Sequence, residues 1–148
     1  MRKFALLGAI AALLITGCGS TADKNEYVNS VNKATTTLTQ SMSKLGAANN
    51  TDPAAMAGSI DDAGQAIEKA AKDFEAITPP DDAKHAHGLM VSGLHSLATT
   101  FSDAADAARA KDTAKLVKVL GEIQNSKGAK DIQAAQNELV KNGYKFES

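Results

Sequence analysis

The sequence has few of the residues that build disulfide frameworks or aromatic binding platforms. Its 148 residues include one cysteine, three prolines and no tryptophan, and only 4% of them are aromatic. A single cysteine excludes an internal disulfide and a zinc site made of cysteines. The scarcity of aromatic side chains leaves little material for stacking on bases or sugars.

An excess of charge of one sign is also missing. The 16 basic and 17 acidic residues give a formal net charge of -1, which provides no electrostatic reason to expect a nucleic-acid partner. At 43% hydrophobic and 22% charged residues, the chain has neither a disordered nor a collagen-like composition. Alanine is abundant, at about a fifth of the chain. The length fits one ordinary domain.

The first seventeen residues have the three parts of an export signal. Arg2 and Lys3 precede an apolar run over residues 4–15, and the small residues Thr16 and Gly17 follow it. The apolar run is too short to cross a hydrocarbon core of about 30 Å. We therefore predict a removable signal over residues 1–17 rather than a membrane-spanning anchor.

The run Ile15-Thr16-Gly17-Cys18 resembles the lipobox of bacterial lipoproteins, in which an aliphatic residue and two small residues precede a cysteine. The resemblance implies that the thiol of Cys18 receives a diacylglycerol. It also implies that type II signal peptidase cleaves between Gly17 and Cys18. Two acyl chains attach a protein stably, so the chain is expected at the cell membrane, on its extracytoplasmic face. The alternative is an ordinary signal peptide with a chance cysteine beside its cleavage site.

The rest of the chain shows helical periodicity and no strand-like alternation. We expect a flexible tether over residues 18–25 and a single domain over residues 26–148. The first helix is predicted from Asp23 to Leu45, with Asp23 as its N-cap and Glu26 as the capping-box partner. Asp52 caps a second helix that begins at Pro53 and ends before the run Thr78-Pro79-Pro80.

Acidic residues Asp81 and Asp82 favour the start of a third helix. Asp112 is the predicted N-cap of a fourth helical segment, whose apolar repeat is interrupted near Gly128. These lengths and short connections predict an all-α, antiparallel up-and-down four-helix bundle with its last helix bent or split near Gly128. Alanines along the seam predict a close-packed core with little room for a ligand. The apolar stripes of the four segments are Val28, Val31, Thr35, Leu38, Met42 and Leu45; Met56, Ile60, Ala63, Ile67, Ala70, Phe74 and Ile77; Ala83, His87, Met90, Leu94, Leu97, Phe101, Ala104 and Ala108; and Leu116, Val119, Leu120, Ile123, Ile132, Ala135, Leu139 and Phe146.

Three histidines, His85, His87 and His95, lie in the third predicted helix. His87 shares a helix face with Met90, and helical bundles can hold haem or copper with this pair of ligands. The interpretation we favour is a partly buried structural histidine, bonded to a backbone carbonyl or to a carboxylate of another helix. The sequence contains no Cys-x-x-Cys-His motif and no Glu-x-x-His pair. We therefore expect no metal and no cofactor.

No combination of residues predicts catalysis. Paired carboxylates such as Asp61-Asp62 are most simply solvated, and no Gly-x-Ser-x-Gly, Ser-x-x-Lys or phosphate-binding loop motif is present. We therefore expect no enzymatic activity. Five glycines inside predicted helices could allow close contacts or bends, and Gly88 and Gly93 flank the turn from His87 to Met90. The five are Gly58, Gly64, Gly88, Gly93 and Gly121.

The mature part combines a predicted helix from Tyr27 to Met42 with the residues Ile77-Thr78-Pro79-Pro80, His87, Leu94, Phe101 and Ala104-Ala105. In these residues it is similar to small helical lipoproteins of unknown function from Gram-positive, especially actinobacterial, genomes. This resemblance implies a fold and a location. The expected function is that of a lipid-anchored, non-enzymatic interaction or envelope-associated module. Its partner is the membrane through the diacylglycerol, with an unidentified protein partner also allowed. The alternative is a metal- or haem-binding bundle that uses His87 and Met90.

Overall fold

The computed structural model describes residues 21–46 and 53–146, of which 88% are helical. No strand occurs within these two ranges. The predicted all-α bundle is therefore confirmed, with the fourth limb divided into two helices. Short 3-10 turns at Asp81–Ala83 and Ile123–Asn125 precede the third and the last helix. The helices are α1 Thr21–Gly46, α2 Pro53–Glu75, α3 Lys84–Arg109, α4 Thr113–Glu122 and α5 Lys127–Lys141.

The start of α1 differs from the prediction. The helix includes Thr21, so Asp23 is its third residue and not its N-cap. The second half of the predicted tether is consequently helical rather than flexible. The predicted cap Asp52 lies outside the described residues, and α2 begins at Pro53 as expected.

The predicted break in the fourth limb is confirmed. The Asp112 carboxylate accepts a hydrogen bond of 2.9 Å from the backbone N–H of Lys115 and caps α4. After the 3-10 turn, Ser126 has extended backbone geometry and caps α5 through the backbone N–H of Ala129. The limb bends by 17° at Ser126, two residues before Gly128.

Helix α3 lies at the centre of the bundle. It packs along α2 on one side and α5 on the other, while α1 rests mainly on α2. The predicted α3 stripe is confirmed, since its members are buried or half-buried. On α1 the buried stripe is Tyr27, Val31 and Ala34, so the predicted core residue Thr35 is exposed instead.

Two glycines let α3 and α5 touch through their backbones. A Cβ at Gly93 would lie 2.7 Å from Cγ1 of Ile132 and 2.8 Å from the carbonyl oxygen of Gly128. A Cβ at Gly128 would lie 2.6 Å from the carbonyl oxygen of Gly93. Real side chains do not fit at such distances, so this contact requires glycine on both helices. Gly88 faces open space and carries no such requirement.

Helix α4 is attached to the surface of the bundle. None of its residues is buried, and the side chain of Val117 is 66% exposed. The predicted apolar stripe of α4 is therefore only partly covered. Within the described ranges, no helix combines the length and apolar character needed to cross a bilayer.

Candidate functional site

An apolar cleft of about 620 Å³ opens between α1 and α5. Nearly buried side chains of α2 and α3 form its inner wall, including Ile67, Met90 and Leu94. Three lining side chains are polar, and none is charged. The lining residues are Val31, Asn32, Thr35, Leu38, Met42, Ile67, Phe74, Met90, Leu94, Leu97, Phe101, Ile132, Gln136, Leu139, Val140 and Phe146.

The cleft corrects the expectation of a core with little room. Fully buried alanines such as Ala86 and Ala135 do bring α3 close to its neighbours. Helix α1 is held mainly by α2, however, and the seam between α1 and α5 stays open. Val140, on the rim of this seam, is 65% exposed. Small residues therefore tighten the α2–α3–α5 side of the bundle but do not close the side next to α1.

A buried tyrosine–histidine pair lies at one end of the cleft. The hydroxyl of Tyr27 on α1 is 3.1 Å from Nδ1 of His87 on α3, and the two rings meet edge to face. The His87 ring also forms a hydrogen bond with the backbone carbonyl of Phe74, a residue that lines the cleft. The backbone carbonyl agrees with the favoured interpretation of His87. The side chain is more fully buried than expected, and its second partner is a tyrosine hydroxyl and not a carboxylate.

The protonation of this pair follows from its burial. Burial lowers the pKa of His87, and the Phe74 carbonyl offsets part of that effect. Burial raises the pKa of Tyr27 to about 12, which keeps its hydroxyl protonated at neutral pH. A neutral His87 ring can accept at Nδ1, so the hydroxyl of Tyr27 donates to it.

A second polar group ties the C-terminal residues to the start of α1. Asp82 accepts a hydrogen bond of 2.6 Å from the Tyr144 hydroxyl and pairs with Lys24 at 2.5 Å. Lys24 also donates to the backbone carbonyl of Asn142 and lies 4.8 Å from the centre of the Tyr144 ring. Lys24 first, and Tyr144 second, lower the pKa of Asp82. The group stabilises the junction of α1, the 3-10 turn before α3, and the segment after α5.

Aromatic rings connect the two polar groups to the cleft. The rings of Tyr27 and Tyr144 meet edge to face, with 5.5 Å between their centroids. The Tyr144 ring stacks on that of Phe146, with 6.5 Å between centroids. Phe146 and Phe74 both line the cleft. Although the sequence contains few aromatic residues, several of them gather at this end of the cleft.

The other two histidines join helices at separate places. His95 on α3 bridges two carboxylates of α2. Its Nδ1 lies 2.8 Å from Oε2 of Glu68, and its Nε2 lies 3.1 Å from Oε1 of Glu75. These hydrogen bonds, that of Glu68 first, raise the pKa of His95. His85 contacts Glu138 on α5 at 2.7 Å. The three histidines therefore share no partner and form no cluster.

The sequence singled out His87 and Met90, and the structure buries both on one side of α3. Met90 lines the cleft, whereas His87 is bonded to Tyr27 and Phe74. Among the described residues, no group of three His, Cys, Asp or Glu side chains is arranged to hold a metal. Gly17 and Cys18, the predicted cleavage and lipidation residues, lie outside the described ranges.

Several residues of the site were not expected from the sequence. Tyr27 falls one position before the predicted α1 stripe, and Tyr144 lies in a segment without helical periodicity. Asp82 was expected only as a charge at a helix start, and no local pattern indicates its partner Lys24.

No known protein family, no curated protein and no solved structure matches this chain.

Proposed function

We propose that this protein is a lipid-anchored, extracytoplasmic binding module without enzymatic activity. The observation that carries the binding role is the apolar cleft of about 620 Å³ between α1 and α5. Its size lies within the range of small-molecule sites, which are mostly apolar with a few polar groups at defined positions. The membrane is the partner, through a diacylglycerol at Cys18.

The lipobox-like run supports the location. Cys18 is followed by Gly19 and Ser20, and α1 has begun by Thr21. A diacylglycerol on Cys18 would therefore hold the domain close to the bilayer surface. The loss of Arg2 and Lys3 with the signal leaves a mature chain more acidic than the full one, so lipid insertion and not a basic patch is the expected attachment.

The chemistry of the cleft supports binding rather than catalysis. Its polar lining side chains, Asn32, Thr35 and Gln136, are neutral amides and a hydroxyl without a neighbouring base in the lining. The three histidines are engaged in bonds between helices. Metal or haem binding through His87 and Met90 has less support, because such binding would have to displace Tyr27 from His87.

Membrane fractionation of a Cys18→Ala variant tests the proposed attachment. Without the thiol no diacylglycerol can be added, so we expect the variant to leave the membrane fraction or to accumulate unprocessed. Ser20→Ala, a neighbouring change outside the lipobox, is the matched control and should behave as the unaltered protein. Full processing and unchanged membrane retention of Cys18→Ala would contradict the proposal.

A further inference from the structure

We infer that the cleft between α1 and α5 binds the hydrocarbon chain of a neutral, single-chain lipid of the monoacylglycerol class. The lining supplies a long apolar surface with neutral polar side chains at positions Asn32, Thr35 and Gln136. Such a lipid combines one long apolar chain with hydroxyl and ester groups. The size, charge and hydrogen-bonding capacity of the cleft each favour this occupant.

The volume of the cleft fits one hydrocarbon chain. A cavity of about 150 Å³ accommodates benzene, or roughly 25 Å³ per carbon, so 620 Å³ accommodates on the order of 20 carbons. The cleft follows α1 from Val31 to Met42, a length of roughly 17 Å. One hydrocarbon chain therefore fits both the volume and the length of the cleft.

The charge of the lining selects a neutral head group. No charged side chain lines the cleft, and an ionised carboxylate or phosphate that loses its hydration needs a paired cation. Lys24, which contacts the Tyr144 ring beside Phe146 of the lining, is already paired with Asp82. A fatty-acid anion or a phospholipid head therefore finds no cation in the lining and has to keep its charge in water. A neutral glycerol head can leave the water and form hydrogen bonds with the polar lining side chains.

The polar lining side chains are free to bind such a head. Within the described part of the chain, Asn32, Thr35 and Gln136 form no side-chain hydrogen bond. Asn32 and Thr35 come from α1, and Gln136 comes from α5. The amides can donate to an ester carbonyl and accept from a hydroxyl, and Thr35 can do either. These side chains match the groups of a monoacylglycerol head.

The source of the lipid is the bilayer beside which the domain is held. This source rests on the proposed anchoring at Cys18, but the ligand class rests on the cleft alone. The full Cys18→Ala chain mixed with lipid vesicles retains the cleft. Binding in that variant therefore separates a failure of the cleft proposal from a failure of the anchoring proposal.

Photo-crosslinking tests the inference. The full chain is incubated with phosphatidylcholine vesicles that contain a long-chain monoacylglycerol with a diazirine in its alkyl chain, then irradiated and digested with trypsin. We expect label on peptides 85–109 and 131–141, which carry Leu94, Leu97, Phe101 and Ile132 of the lining. Unlabelled monoacylglycerol should compete more strongly than the corresponding fatty acid.

Two exposed threonines on α1 give a matched pair of variants. Thr35 lines the cleft and Thr36 does not. Thr35→Trp should occupy the cleft and weaken labelling roughly tenfold, whereas Thr36→Trp should leave it unchanged. Val140→Asp places a charge on the exposed rim and should also weaken labelling. Circular dichroism checks that each variant folds. If Thr35→Trp does not fold, the labelling of Val140→Asp provides the test.

Equal labelling of the two threonine variants would overturn the inference. Stronger competition by the fatty acid would overturn the neutral head group. Crosslinks between the cleft and residues 4–15 would show a segment of this chain as the occupant and would also overturn it. A partner helix in the cleft would appear as a crosslinked peptide in place of the lipid label, with the same consequence.

Discussion

The hydroxyl of Tyr27 lies 3.1 Å from Nδ1 of His87 and joins α1 to α3 near one end of the cleft. Among the residues that the structure describes, His87 is the buried polar residue of the core, with 8% of its surface exposed. A buried acceptor that loses its donor retains the cost of its desolvation. This pair therefore holds α1 in place at the point where the cleft ends.

Replacing Tyr27 with Phe removes the donor and leaves the ring in place. We expect Tyr27→Phe to lower the free energy of unfolding by about 1–2 kcal/mol, measured by urea denaturation. Adding His87→Leu removes the unpaired acceptor as well. The double variant should therefore lose less stability than the sum of the two single variants, and strict additivity would show that the hydrogen bond contributes nothing.

Gly93 and Gly88 provide a comparison within one helix. Gly93→Ala should destabilise the protein by roughly 1–3 kcal/mol, because its Cβ would meet Ile132 at 2.7 Å and the Gly128 carbonyl at 2.8 Å. Gly88→Ala meets open space and should stabilise α3 by up to about 1 kcal/mol. Thermal unfolding of both variants checks the opposite signs. A stabilising Gly93→Ala would mean that the α3 and α5 backbones are not in contact.

Lys111, in the connection between α3 and α4, has a left-handed backbone with φ of 57°. Glycine adopts this conformation without steric cost, so we expect Lys111→Gly to stabilise the protein by up to about 1 kcal/mol. Lys115→Gly is the matched control, because the same change inside α4 should destabilise by about as much. Urea denaturation distinguishes the two, and a loss of stability in Lys111→Gly would contradict the assigned conformation.

The pH dependence of stability should carry opposite contributions from two histidines. Hydrogen bonds to Glu68 and Glu75 raise the pKa of His95 above 6.5, so its stabilising contribution is fully present below pH 6.5 and is lost as the pH rises through the raised pKa. Burial lowers the pKa of His87 below 6.5, so protonation favours the unfolded chain. The stability of the protein therefore decreases as the pH falls below 6.5.

The His95→Gln variant separates these contributions. We expect the unfolding midpoint of the unaltered protein to fall as the pH moves away from 6.5 in either direction. In His95→Gln the fall on the alkaline side should disappear, and the fall on the acidic side should remain. The conservative change Thr99→Ser, at an exposed position on the same helix, should leave the profile unaltered. An unchanged alkaline limb in His95→Gln would show that the bridge to Glu68 and Glu75 does not bind a proton in the folded state.

Spacing predicted the elements that depend on local chemistry. The apolar stripe of α3, the Asp112 cap and the break before Gly128 all follow from residues within a few positions of one another. The buried stripe of α1 includes Tyr27, which the predicted stripe did not, because this ring packs against His87 and Tyr144. Local patterns of this kind located these elements, whereas the start of α1 was placed two residues too late.

The site depends on contacts between distant residues, which spacing does not encode. Lys24, Asp82 and Tyr144 meet although more than 50 residues separate each from the next along the chain. The approach of Gly93 to Gly128 requires knowledge of which helices pair. The cleft arises because α1 packs mainly on α2 and leaves its seam with α5 open, a tertiary outcome that alanine content alone did not indicate.

Native mass spectrometry of the full protein extracted from its own membrane tests the central claim most directly, namely that the protein is a membrane-anchored module with an occupied apolar cleft. We predict a chain that begins at Cys18, carries the mass of a covalent diacylglycerol, and holds one further lipid without a covalent bond. The second lipid should disappear in Thr35→Trp and persist in Thr36→Trp. A chain without covalent lipid would contradict the anchor, and a lipidated chain with an empty cleft would contradict the binding site.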